Sequence, residues 1–98
     1  MSGEIITGDC LGEMRMADES FVDLLVTDPP YGLSFMGKDW DRAVPSVAVW
    51  KECLRVLKPG AFAFIMSSPR LDVLSQMAVR LGEAGFNVGF TPIYWAYA

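Results

Sequence analysis

The sequence predicts an α/β domain: a mostly parallel sheet with helices on its faces and an antiparallel edge. Three observations lead there. The apolar run over residues 21–27, interrupted only by Asp23, fits a strand covered on both faces. A helical repeat at Val47, Trp50, Leu54 and Leu57 comes next in the chain. A second apolar run, residues 61–66, follows that repeat, and strand–helix–strand alternation is how α/β sheets are built.

In chain order, residues 4–7 are a short strand candidate and residues 11–15 a brief helical turn that Asp9 is placed to cap. Asp18-Glu19-Ser20 breaks the chain before the strand over 21–27. Residues 32–44 read as a loop with two glycines, several charges and Trp40. Pro45-Ser46 opens the first long helix, and Lys58-Pro59-Gly60 stops it. Residues 61–66 are the next buried strand. Ser67-Ser68-Pro69 starts a further helix, in which Leu71, Leu74, Ala78 and Leu81 share one face, and Gly85 ends it as a C′ glycine. Residues 86–91 and 93–98 read as two more strands on either side of Pro92, antiparallel neighbours at the sheet edge.

Composition bounds the function. The 98 residues allow one core, a single domain over 1–98, and a domain this short buries a modest share of its surface. Hydrophobic residues make up 52% and charged residues 20%, an apolar bias that would leave the faces of a sheet fragment exposed, so self-association is expected. No apolar run reaches the roughly 18 residues of a membrane span. The start, Met1-Ser2-Gly3-Glu4, lacks the basic region and apolar core of a signal peptide, so a cytoplasmic chain is expected. Cys10 and Cys53 form no C-x-x-C, which argues against zinc and redox sites. With no histidine, Ser-His catalysis and His-ligated metals are excluded. The net charge of −4 gives no obvious basic patch for gripping phosphates.

The most informative segment is Asp28-Pro29-Pro30-Tyr31, at the end of the first apolar run. Neither proline has a backbone N–H, so the turn offers carbonyl acceptors with few competing donors. Asp28 precedes a proline and is pushed toward extended geometry, which fixes its carboxylate relative to the Pro29 carbonyl. An exocyclic NH2 group needs two acceptors, and a flat ring needs a flat partner such as Tyr31. The segment therefore suits an aromatic amine. Its bland alternative is a turn that only punctuates the strand.

These residues resemble motif IV of the amino-group DNA methyltransferases, which modify adenine N6 or cytosine N4 using S-adenosylmethionine. Ile5-Ile6-Thr7-Gly8-Asp9-Cys10-Leu11 and Val22-Asp23-Leu24-Leu25-Val26-Thr27-Asp28-Pro29-Pro30-Tyr31-Gly32 look like the opening of the permuted, beta-type members. Phe35-Met36-Gly37-Lys38-Asp39-Trp40-Asp41 looks like the loop after that motif. Leu54-Arg55-Val56-Leu57-Lys58-Pro59-Gly60 resembles the helix and turn before the fifth strand. The resemblance implies a partial Rossmann-like methyltransferase sheet. It departs from the family in lacking a Phe-x-Gly-x-Gly cofactor loop and room for a target-recognition region. It thus implies the catalytic amino-terminal part of a larger enzyme, completed by a carboxyl-terminal part or a second copy.

By that resemblance the catalytic residues are Asp28, Pro29, Pro30 and Tyr31, and the cofactor-binding residues are Asp9, Cys10 and Asp28; no metal is implied. S-adenosylmethionine is the cofactor and DNA, with the target base flipped out, the partner. The leading Asp leans toward adenine, because cytosine-N4 members more often carry Ser there. Cytosine N4 stays open as an alternative, as does a non-catalytic remnant of the fold. Asp9 resembles the acid that contacts the cofactor's adenine amino group, and its competing role is the helix cap. Phe35 and Trp40 either contact base or cofactor or pack beneath their loop. Trp50 is core. Ser67, Ser68 and Arg70 lie where family contacts gather, and Ser-Ser-Pro is also an ordinary helix start.

Overall fold

Asp9 sets the first helix. In the computed structural model, which describes residues 3–30 and 44–94, Asp9 is extended and its carboxylate accepts the Gly12 N–H at 3.1 Å. This satisfies one orphan donor of helix α1, Cys10–Arg15. The expected strand over 4–7 does not form. Ile5 and Ile6 are 95% and 61% exposed, and without a partner strand an extended segment has no ladder to hold it.

Strand β1, Val22–Thr27, leads through the interval before helix α2, Val47–Val56, to strand β2, Leu57–Ile65, and helix α3, Leu71–Ala84, follows. Strands β1 and β2 pair in parallel and form a two-stranded sheet. The register runs Val22↔Leu57, then Leu24↔Phe62, Leu25↔Ala63, Val26↔Phe64 and Thr27↔Ile65. Lys58-Pro59-Gly60 therefore does not separate helix from strand as the sequence suggests. Strand pairing begins at Leu57, and the segment falls in a bulge where four residues of β2 stand opposite Asp23 alone. Gly60 takes φ +81 there, a left-handed conformation that suits glycine, and Lys58 closes the bulge with a 2.7 Å ion pair to Asp23.

The core sits between the sheet and the two longer helices. Trp50 and Cys53 of α2 meet Val73, Met77 and Ala84 of α3, with Leu25 and Ile65 packed against them from the strands. The helix faces match the expected ones in part: Val47, Trp50 and Leu57 of the first and Leu81 of the second pack in or against the core. Leu54 is 36% and Leu71 81% exposed, and the buried stripes run through Trp50, Cys53 and Val56, and through Val73, Met77 and Ala84. Each stripe is set by the partner helix, and several apolar positions per turn left the phase open. Trp50 is 2% exposed and its indole N–H has no hydrogen-bond partner.

Arg55 ties α1 to α2. Its Nη2 donates to the Met14 and Ala17 carbonyls at 2.7 and 2.9 Å, and its Nε to Glu52 at 2.9 Å. Arg80 of α3 likewise donates to the Val44 and Pro45 carbonyls just before α2. Gly85 ends α3 as expected, at φ +113. Its N–H reaches the Gly82 carbonyl and that of Phe86 the Leu81 carbonyl, both at 3.1 Å, the paired bonds of a Schellman ending.

The sheet is narrower than predicted. No third strand occurs among the described residues, so the expected strand over 86–91 is absent, and 95–98 of the second lie outside them. No antiparallel edge is seen among the described residues. The local apolar pattern there supplies no ladder partner; Phe90 instead meets the ring of Phe62 edge-on at 6.5 Å. Among the described residues, one face of the sheet is also left uncovered. Leu24, Val26, Phe62 and Phe64 are 50, 60, 63 and 49% exposed, which corrects the expectation of strands covered on both sides. No helix of the described residues is long and apolar enough to cross a membrane.

Candidate active site

The parallel ladder decides what shares the carboxyl edge of the sheet. Thr27 pairs with Ile65, and the Met66 N–H donates to the Thr27 carbonyl at 3.0 Å. Asp28-Pro29-Pro30 and Ser67-Ser68 therefore leave adjacent strands at the same end. In open α/β sheets this is the end where ligands bind. Asp28 is exposed and both prolines are half-buried. Tyr31, Phe35 and Trp40 lie outside the described residues.

Ser68 is the buried polar residue of the edge, at 9% exposure. Its Oγ accepts the Arg70 N–H at 3.2 Å, and the Ser67 hydroxyl donates to the Ser68 carbonyl at 3.1 Å. Both serines thus hold the entry into α3, the ordinary helix-start role. Arg70 is turned to Asp72, with Nε and Nη2 donating to its two carboxylate oxygens at 2.7 and 2.8 Å. That hydrogen bonding and the guanidinium charge hold the Asp72 carboxyl below the usual range. The sequence reading missed Asp72, although opposite charges two residues apart at a helix start were the available signal.

Over 79 aligned residues the chain is 32% identical to the type II methyltransferase M.BamHI of Bacillus amyloliquefaciens, covering 69% of this chain and 18% of that protein. Over 77 residues it is 35% identical to the DNA adenine methyltransferase YhdJ of Escherichia coli strain K12, covering 65% of this chain and 24% of that one. The chain is similar to DNA methyltransferases. It spans a quarter or less of the length of these relatives. No family model matches it, and no solved structure does.

Set beside that similarity, the site residues divide into two groups. Asp28, Pro29 and Pro30 stand together at the sheet edge. Asp9 and Cys10 stand at the start of α1, both exposed, with the Asp9 carboxylate engaged by Gly12. Cys53 is the buried thiol, 3.7 Å from the Met14 sulfur. Burial, then the neighbouring Cys10, pushes it up to about 11, so it stays protonated and inert. A concavity of about 340 Å³ lined by Ser20, Arg55, Lys58 and Gly60 opens beside the bulge, at the opposite end of the strands from Asp28. Among the described residues no cluster of acids and cysteines is arranged to hold a metal ion.

Proposed function

We propose that this chain carries the catalytic segment of a DNA methyltransferase that transfers a methyl group from S-adenosylmethionine to adenine N6. The observation that carries the proposal is the exposed Asp28 before two half-buried prolines, at the carboxyl edge of a parallel strand, in a chain similar to DNA methyltransferases. YhdJ, named as an adenine methyltransferase, supports the choice of base.

The adenine amino lone pair is delocalised into its ring, so the nitrogen is a poor nucleophile. The Asp28 carboxylate and the Pro29 carbonyl accept its two hydrogens, favouring the pyramidal form whose lone pair points out of the ring plane. They act as preorganised acceptors that strengthen as positive charge develops on nitrogen. Carboxylates are ionised but weakly basic at neutral pH, so the amine attacks first and loses its proton afterwards. A duplex hides the amino group, so the base is flipped out at a cost of a few kcal/mol. Tyr31, directly after Pro30, would return on the order of 1–3 kcal/mol by stacking on it.

The chain fits part of the cofactor. A carboxylate offers about four acceptor positions, and the cap at Gly12 uses one of them on Asp9, so this acid suits the amino group of the cofactor's adenine. S-adenosylmethionine would supply an electrophilic methyl group on a sulfonium. Asp9 and Cys10 would hold its adenosine end, and Asp28 would lie toward the methyl group. The 98 residues contain no Phe-x-Gly-x-Gly segment to cradle the remainder.

Calorimetric titration of the chain with S-adenosylmethionine, with Asp9→Ala as control, tests the reading. Saturable binding that is lost in the variant supports it. No binding at millimolar cofactor would assign the 98 residues a half-site or a non-catalytic remnant of the fold.

A further inference from the structure

Asp28 and the Asp9-Cys10 pair are held by different means. Asp28 follows a strand paired along its length, whereas Asp9 and Cys10 belong to no ladder. They open α1, a helix of six residues with none of them buried. So short a helix does not persist in water by itself, and its place is set by what it packs against. That neighbour is α2.

Arg55 of α2 holds both sides of the turn between α1 and β1. On the helix side its Nη2 donates to the Met14 and Ala17 carbonyls, which sets a guanidinium on the negative end of α1. On the strand side its own carbonyl accepts the Ser20 N–H at 2.9 Å, and the next carbonyl, of Val56, accepts the Phe21 N–H at 3.0 Å. Between the two, Ser20 takes φ +54, a left-handed conformation that a serine keeps where its surroundings dictate it. Glu52 in turn fixes the guanidinium through Nε. The Met14 sulfur against Cys53 adds an undirected contact, so the orientation of α1 comes from Arg55. Six residues make a helix about 9 Å long, and a shift at its Met14–Ala17 end is carried whole to Asp9.

We infer that Arg55 is a positioning residue for the cofactor half of the site, setting where Asp9 and Cys10 stand relative to Asp28. This rests on the methyltransferase reading for what Asp9 and Cys10 hold, and on the hydrogen bonds alone for the clamp.

Amide hydrogen exchange of the chain tests the clamp. The α1 amides of the parent are protected. In Arg55→Met they lose protection by roughly tenfold or more beyond any loss shared with the β1–β2 ladder, and Arg55→Lys falls between. Unprotected α1 amides in the parent, unchanged ones in the variant, or a loss that helix and ladder share equally would overturn it. Kinetics of a methyltransferase containing this segment test the cofactor role. There Arg55→Met raises the KM for S-adenosylmethionine by roughly tenfold or more with kcat little altered, because Asp28 keeps its ladder. A fall in kcat without a rise in KM, or unchanged kinetics beside a loosened α1, would remove Arg55 from that role. A parent that binds no cofactor would sink the methyltransferase reading and the role with it, while exchange still decides the clamp.

Discussion

The Met66 amide donates to the Thr27 carbonyl at 3.0 Å, one residue beyond the last strand position of β2. The ladder is thus complete up to the peptide before Asp28. The acid is therefore launched from a fixed carbonyl, and the prolines after it remove the freedom that a flexible loop would have.

In a methyltransferase containing this segment, Asp28→Ala reduces methyl transfer to DNA by about 10²-fold or more, the scale of losing one preorganised group. Cofactor affinity is retained. Labelled-methyl incorporation and calorimetry check the two halves; retained turnover would remove Asp28 from its assigned role.

Gly85→Ala destabilises the fold by about 1–2 kcal/mol from the left-handed backbone alone. The added Cβ would also stand 2.8 Å from Leu54 Cδ2, so the urea midpoint falls further unless Leu54 shifts.

Arg55→Met keeps the apolar stem but removes the charged donors to Met14 and Ala17, at a cost of about 2 kcal/mol. Arg55→Lys recovers only part of it, because an ammonium cannot reproduce the fork. Urea unfolding of the two variants against the parent measures both effects.

Cys53 gives an alkaline signature. Its folded value near 11 lies above the ordinary 9.0, so the folded state holds the proton longer than the unfolded chain. The stabilisation is whole below pH 9 and is lost as pH rises toward 11, on the order of 2 kcal/mol. The difference in unfolding free energy between parent and Cys53→Ala isolates it from lysine and tyrosine titration, and should shrink across that window.

Trp50→Phe removes the buried N–H that has no partner while keeping most of the ring, so it costs about 1 kcal/mol or less, whereas Trp50→Ala costs about 3–5 kcal/mol. Thermal unfolding separates the two.

What was legible in the sequence was what the chain decides locally. Asp9 capped the predicted turn, the run ending at Thr27 became a strand, and Gly85 stopped its helix, because each depends on neighbours within a few residues. The phase of each helix was legible in part: Trp50, Leu57 and Leu81 face the core as read, whereas Leu54 and Leu71, equally apolar, do not. The width of the sheet was not. Residues 86–91 have a strand's composition, but a strand exists only where another chain segment offers its hydrogen bonds.

The bulge at Lys58-Pro59-Gly60 has an arithmetical consequence. It inserts three extra residues between the Val22 and Leu24 pairings, an odd number in a structure whose side chains alternate by twos. Ala61 and Ala63 thereby turn toward the helices, and Phe62 and Phe64 turn away. Two or four residues there would have turned β2 over, driving two aromatic rings into the space that alanine fills. The side on which the phenylalanines face outward is thus written in the parity of a turn.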